Sequence, residues 1–304
     1  MSLPLRPRAT ISGFVALSLW SAFGVLTSAS GTLPPFETAA LAFGGGGVLG
    51  LLFGATQGWP TLRAALQQPP RVWALGLGGL FGYHALYFAA LRLAPPAEAG
   101  LLNYLWPLLL ALGVALLPGD ASVGTPPGSR PTGSSQLYRP VLGALIAFSG
   151  VALLLTGGAP ALLPFPNRHL GDALAAAAAV VWAAYSLASR RLGEVPSLTV
   201  SGFAVGTGLL ATVAHLLFET TVWPADAGQW AATVALAAGP AGLAYPLWDR
   251  AMKHGDLRTL TAASYLTPVA STALLLAFGY AAPAGSLIAA CTLVVLGAVV
   301  SKRA

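Results

Sequence analysis

Apolar runs recur ten times along this chain, and that repetition leaves it few ways to fold. They cover residues 10–29, 36–55, 73–92, 97–117, 139–157, 170–190, 198–219, 229–250, 258–279 and 285–301. About 20 mostly apolar residues are what a helix needs to cross the hydrocarbon of a bilayer. Only 8% of the residues are charged, whereas a soluble domain carries about a quarter. So little charge cannot cover a water-facing surface, and the pattern predicts an all-α integral membrane protein with ten transmembrane helices. The segment from Thr10 has the basic start of a secretion signal (Arg6, Arg8), but its apolar part is long for one, and it matches a later run.

The placement of charge predicts an orientation. With both termini cytoplasmic, the inside segments hold 13 of the 15 Lys and Arg residues, and only Arg92 and Arg168 fall outside. Cytoplasmic loops carry that excess. The basic residues stand singly or in pairs between apolar runs, without the dense patch that nucleic acid requires. The stretch 118–138, rich in Pro, Gly and Ser, is expected to be a flexible cytoplasmic loop. The single cysteine, Cys291, lies in an apolar run and is expected to be a small core residue.

The chain repeats itself. "LWSAFGVLTSASGTLP" (19–34) aligns with "VWAAYSLASRRLGEVP" (181–196), which sets Trp20 on Trp182, Phe23 on Tyr185, Gly31 on Gly193 and Pro34 on Pro196. At nearly the same offset "NYLWP" (103–107) aligns with "SYLTP" (264–268). Five spans per half is an odd number, so the halves, 1–160 and 161–304, would run in opposite senses. Inverted repeats of this kind enclose the substrate sites of secondary transporters near the midplane.

Pro107 and Pro268 fall near the middle of their spans. Each lacks an N–H, which deprives the carbonyl four residues back (Asn103, Ser264) of its helical partner. In hydrocarbon such a carbonyl needs protein or cavity water. Trp20, Trp182, Tyr104, Tyr265, Gly79, Tyr83, His84, Tyr87, Pro240 and Tyr245 share that depth. Together they predict a central, partly wet, aromatic-lined cavity, with Pro107 and Pro268 as hinges. The glycine runs "FGGGGVLG" (43–50) and "GLGGLFG" (76–82) are assigned to close helix packing. Glu37, Arg92, Glu98, Asp172, Arg190 and Arg250, near span ends, are assigned to snorkelling or capping. His215 also lies near an end, and Asp249 is expected to pair with Arg250 or Lys253.

The sequence has no G-x-x-x-x-G-K-[ST] phosphate loop, metal-ligand cluster or nucleophile elbow, so neither enzyme nor cofactor is expected. A nucleotide-sugar or polyamine carrier would be the rival on the same architecture, and a sugar phosphate would need convergent Lys or Arg at mid-span. A membrane-embedded lipid enzyme would have to use the group Asp249, Arg250, Lys253, His254 and Asp256.

The W-[SA]-A-[FY] stretches at 20–23 and 182–185 and the Y-L-x-P stretches at 104–107 and 265–268 resemble the drug/metabolite transporter superfamily, in its ten-span EamA-type exporter branch. The resemblance covers the chain outside 118–138. "GYHALYFAAL" (82–91) and "NYLWP" look most similar to the bacterial inner-membrane group that exports aromatic amino acids and passes paraquat. It implies a functional monomer, a basket of helices around a central cavity, and efflux by alternating access. The cavity would be lined by the first, third, fourth, sixth, eighth and ninth spans. The candidate substrate-binding residues are Trp20, His84, Tyr87, Asn103, Trp106, Trp182, Tyr185, Tyr245, Trp248 and Ser264. The halves differ where Ser264 and Thr267 replace Asn103 and Trp106, which makes the expected cavity chemically lopsided.

Overall fold

Helix covers nearly all of the described part of each apolar run. The computed structural model describes residues 4–94, 96–116, 135–156, 167–280 and 287–302, and these contain no strand. In chain order the helices are α1 (Leu5–Ser21), α2 (Phe23–Ala29), α3 (Pro35–Thr56), α4 (Trp59–Leu66), α5 (Pro70–Leu93), α6 (Pro96–Asn103), α7 (Trp106–Leu116) and α8 (Ser135–Thr156). Then follow α9 (Arg168–Arg190), α10 (Thr199–Phe218), α11 (Ala227–Leu236), a π-helical segment (Ala237–Leu243), α12 (Ala244–His254), α13 (Leu257–Ser264), α14 (Leu266–Ala277) and α15 (Leu287–Lys302). Most of the expected loop 118–138 lies outside the described residues. Residues 135–138 are corrected to helix, because α8 continues beyond its apolar run.

Local chemistry sets the helix ends. Pro35 and Pro70 start α3 and α5, where a missing N–H costs nothing. Asp226 and Asp256 cap α11 and α13 by accepting from the N–H groups of Gln229 and Thr259. Gly58 turns the chain between α3 and α4 at φ 106°, a conformation that favours glycine.

Among the described residues, six helical stretches are long and apolar enough to cross a membrane, and two shorter apolar helices lie at Val141–Leu153 and Ile288–Val300. Their outer faces are apolar. Leu52 and Phe53 on α3 and Leu209, Leu216 and Phe218 on α10 are exposed, as lipid-facing side chains are. Trp59, Trp223 and Trp230 are exposed near helix ends, where interfacial tryptophans sit. Trp106, Trp182 and Trp248 belong to the interior cluster, and the partly buried Trp20 packs against it.

The most extensive helix contacts pair α3 with α10, α5 with α9, α1 with α12 and α8 with α15, while α13 packs on α7. Glycine allows the tightest of these. A Cβ on Gly46 would fall onto the backbone of Ala237 and Gly242, so α3 lies directly against the π segment.

Among the described residues, four interruptions break the helices near mid-length. The chain bends at Ala22 between α1 and α2, at Tyr104–Leu105 between α6 and α7, and at Tyr265 between α13 and α14. The fourth is the π segment around Pro240. Pro107 and Pro268 lie two to three residues after the second and third bends, and both are buried. Ahead of Pro107 the Leu105 N–H reaches back only three residues, to Leu102, at 3.1 Å. Around Pro240 the ladder widens, and the N–H of Ala244 bonds the Gly239 carbonyl five residues back. α5 and α9 run unbroken. The bends are therefore matched only between α6/α7 and α13/α14.

One end of the bundle corrects an expectation. Glu37, assigned to snorkelling or capping, is buried, and His215 is buried beside it. The 219–226 connection folds over the start of α3, whose first N–H groups need an acceptor. Glu219 supplies it, accepting from Phe36 and Glu37 N–H at 3.1 Å while pairing with Arg92. His215 Nδ1 lies 3.1 Å from the same carboxylate, and Glu37 accepts from the Val222 N–H at 2.9 Å.

Candidate substrate cavity

The bends converge on a cavity of about 290 Å³, at the small end of ligand-pocket sizes, which run from about 300 to 1,000 Å³. Trp20, Phe23 and Gly24 line it from the α1–α2 bend, and Tyr83, His84, Tyr87 and Phe88 from α5. Asn103, Tyr104 and Trp106 come from the α6–α7 bend, Trp182 from α9, Tyr245 from α12, and Thr267 and Ser271 from α14. Among these described lining residues there is no carboxylate, lysine or arginine.

Ring contacts build the wall. Trp182 sits at the hub, 5.6 Å from Trp20, 5.5 Å from Tyr83 and Tyr185, 5.7 Å from Tyr245 and 6.4 Å from Trp106, between ring centroids. Most of these pairs are edge-on or tilted, the arrangements that aromatic quadrupoles favour. Tyr83 and Tyr87, one turn apart, stack 6.2 Å apart at 9°.

Hydrogen bonds hold the polar parts of the wall. The Trp20 indole N–H donates to the Pro240 carbonyl at 3.2 Å, which ties α1 to the π segment. His84 Nδ1 lies 2.7 Å from the Leu80 carbonyl. A carbonyl only accepts, so this nitrogen carries the hydrogen. Nε2 then faces the Tyr245 hydroxyl at 3.3 Å. Asn103 Nδ2 donates to the Tyr83 hydroxyl at 3.0 Å, across two elements.

Seven of the ten candidate residues line the cavity: Trp20, His84, Tyr87, Asn103, Trp106, Trp182 and Tyr245. Three stand behind it. The Tyr185 ring fills the space where a Cβ on Gly79 would be, and so packs α9 against α5. Trp248 lies beneath Trp20 and Trp106 and donates to Ser186 Oγ at 3.3 Å. The Ser264 hydroxyl turns back to its own helix, donating to the Thr261 carbonyl at 2.7 Å. Sequence reasoning left Phe23, Gly24, Tyr83, Tyr104, Phe88, Thr267 and Ser271 off the candidate set. Thr267 was legible as the aligned counterpart of Trp106, Tyr83 as the neighbour of His84 one turn before Tyr87, and Ser271 as one turn beyond Thr267.

Beyond Trp248 lies a buried ion pair. Asp249 Oδ2 is 2.7 Å from Lys253 Nζ, one turn on, and accepts from Ser197 Oγ at 2.6 Å. Lys253 also donates to the Val195 carbonyl at 2.8 Å. Removing one partner of a buried pair leaves the other charge uncompensated. Asp249→Ala is expected to cost about 3–5 kcal/mol, and Asp249→Leu with Lys253→Met to recover most of it. Thermal unfolding in detergent checks this, and equal melting losses for the single and double variants would contradict it. Asp256 caps α13 and lies 3.5 Å from Arg6, so Asp249, Lys253 and Asp256 are each engaged in structural contacts.

A bundle of apolar helices bent around an aromatic cavity, with no fixed charge among its described lining residues, has the build of a membrane carrier. The sequence pattern of the EamA-like transporter family matches residues 8–119 and 169–302. The chain belongs to that family. A protein of Ancylobacter novellus named aromatic amino acid exporter YddG is 46% identical over 296 residues, 97% of each chain. Proteins of that name from Salmonella typhimurium (31% identical, over 88% of this chain and 87% of theirs) and Escherichia coli K12 (28%, over 88% of each) are also similar. A solved crystal structure with 46% identity superposes with a TM-score of 0.85, covering 98% of this chain and 97% of that one.

Proposed function

We propose that this protein is a secondary exporter of aromatic and related amino acids, and of flat organic cations of the paraquat kind, acting by alternating access across the bacterial inner membrane. The observation that carries this reading is the ring-walled cavity, with its rings presented to a ligand and no carboxylate, lysine or arginine among its described lining residues. A flat apolar side chain stacks on such walls, and tryptophan and tyrosine faces attract a quaternary nitrogen. The names of the three exporter relatives support the same substrate class.

The architecture of this reading is ten spans in two inverted halves, 1–160 and 161–304, with both termini cytoplasmic and a monomer as the working unit. The packing supports it. Exchanging each span for the one five places on turns the α1–α12 contact into the α9–α5 contact and leaves α3–α10 and α8–α15 unchanged. The two stretches matched by the family pattern fall one in each half. In this scheme Pro107 and Pro268 are the hinges. A nucleotide-sugar carrier is disfavoured, since the described cavity lining offers a phosphate neither lysine nor arginine.

The test is uptake of labelled phenylalanine by proteoliposomes holding the full chain, with and without a pH gradient. Uptake is expected for the wild type, with a loss of about tenfold or more for His84→Ala, which removes the link between α5 and Tyr245. Unchanged uptake in both His84→Ala and Trp106→Ala would dismiss the cavity as the route.

A further inference from the structure

We propose that the cavity selects the zwitterionic head group of an α-amino acid, with Asn103 Oδ1 receiving the ammonium and the Thr267 hydroxyl donating to the carboxylate. This rests on the exporter reading above and adds to it the polar subsite, which the aromatic walls leave undefined.

Both side chains are more than nine-tenths buried, Asn103 at 6% exposure and Thr267 at 8%, and both line the cavity. Asn103 Oδ1 and Thr267 Oγ1 have no hydrogen-bond partner among the described residues. Leaving a buried polar atom unpaired is costly, so such atoms on residues that line a cavity mark where a ligand atom belongs.

The hydrogen-bonding direction of each atom decides what it takes. The Asn103 amide nitrogen is already committed to Tyr83, and the atom left over is a carbonyl oxygen, which only accepts. It needs an N–H donor, and an ammonium has three. Thr267 has a hydroxyl proton to give, and a carboxylate only accepts. With no fixed charge among the described lining residues, a net anion would enter without a counter-ion. A zwitterion brings its own, and the faces of Trp20, Trp106 and Trp182 add to the cationic side.

The positions also matter. Asn103 is the last residue of α6, at the bend before α7, and Thr267 is two residues past the bend at Tyr265. A head group held by both would bridge the two bent helices, one in each half of the chain. The side chain would lie against the rings, which accept any flat or apolar shape. An amino-acid head would therefore be held at two fixed points and the side chain recognised broadly, while a flat quaternary cation would be held by the rings alone.

The experiment measures binding of phenylalanine, phenethylamine (no carboxylate) and 3-phenylpropionate (no ammonium) to the full chain in detergent. The readout is the ligand-dependent change in tryptophan fluorescence, to which the three tryptophans of the cavity wall contribute among the eight in the chain. Asn103→Leu is expected to weaken phenylalanine and phenethylamine about tenfold and leave 3-phenylpropionate unchanged. Thr267→Val is expected to weaken phenylalanine and 3-phenylpropionate about tenfold and spare phenethylamine. Asn103→Asp puts a carboxylate at the ammonium subsite and is expected to tighten phenethylamine about tenfold over wild type, a gain that no misfolded variant can show. Variants that bind all three ligands as wild type does, or lose all three alike, or an Asn103→Asp without gain, would overturn the head-group subsite while leaving the exporter reading in place. A wild type that binds and transports no phenylalanine would overturn the exporter reading itself.

Discussion

Trp182→Ala is expected to lower phenylalanine uptake about a hundredfold while the protein still folds. The indole is 4% exposed and touches the rings of Trp20, Tyr83, Trp106, Tyr185 and Tyr245, which come from five different helical elements. Truncating a buried aromatic costs about 3–5 kcal/mol, because the surrounding groups relax only partly into the space. Here the space opens into the cavity, and the neighbouring rings lose the edge that fixes their angles. A substrate then meets a wall without a defined surface, and small displacements of a bound molecule cost orders of magnitude in rate. Trp182→Phe keeps a ring at the hub and is expected to recover uptake to within about tenfold of wild type. Initial uptake rates in proteoliposomes, read beside melting temperature, separate the two effects. Wild-type uptake by Trp182→Ala would mean that substrate passes elsewhere.

Gly46→Leu is expected to abolish the folded protein, and Gly46→Ala to reduce its yield severely. A Cβ at this position would lie 2.7 Å from the Gly242 Cα and 2.8 Å from its nitrogen, and closer still to the Ala237 carbonyl. Those are backbone atoms, so no rotamer change relieves the overlap, and the cost exceeds the usual overpacking penalty of about 1–3 kcal/mol. The neighbouring glycine provides the control. A Cβ on Gly45 would meet the Ala237 side chain at 3.4 Å, close to ordinary contact, so Gly45→Ala is expected to be nearly neutral. The monodisperse yield after detergent extraction and the melting temperature check both. Equal behaviour of Gly45→Ala and Gly46→Ala would show that α3 does not pack on the π segment as described.

That pair shows where sequence reasoning stops. "FGGGGVLG" announces close packing, yet nothing in four identical letters says which glycine faces a backbone and which has room. The alignment of the halves carries real information, since it sets Thr267 against Trp106 and both reach the cavity. It also misleads. Gly31 and Gly193 align, but only Gly31 takes a positive φ, of 90°. Trp20 and Trp182 align, yet one ends a helix at a bend and the other stands within an unbroken one. Glu37 and His215 looked like end-of-span polar groups because apolar length was the only measure of depth. Their burial follows from the 219–226 connection folding over the start of α3.

The sequence alone determined where the helices lie. In hydrocarbon each segment must satisfy its own backbone, so helix formation is a local property that apolar length reveals. It also placed aromatic, polar and proline positions near the middle of their apolar runs. Only the tertiary structure decided which of them face the cavity. Tyr185, Trp248 and Ser264 stand behind the wall, and Phe23, Thr267 and Ser271 stand on it. The reason is rotational phase. Every bend, and above all the extra residue accommodated by the π segment at Pro240, turns the following side chains about the helix axis by an amount that a 3.6-residue period does not contain. The face a residue presents is then set by the helix packed against it, through contacts such as Gly46 on Gly242 that couple residues far apart in the chain.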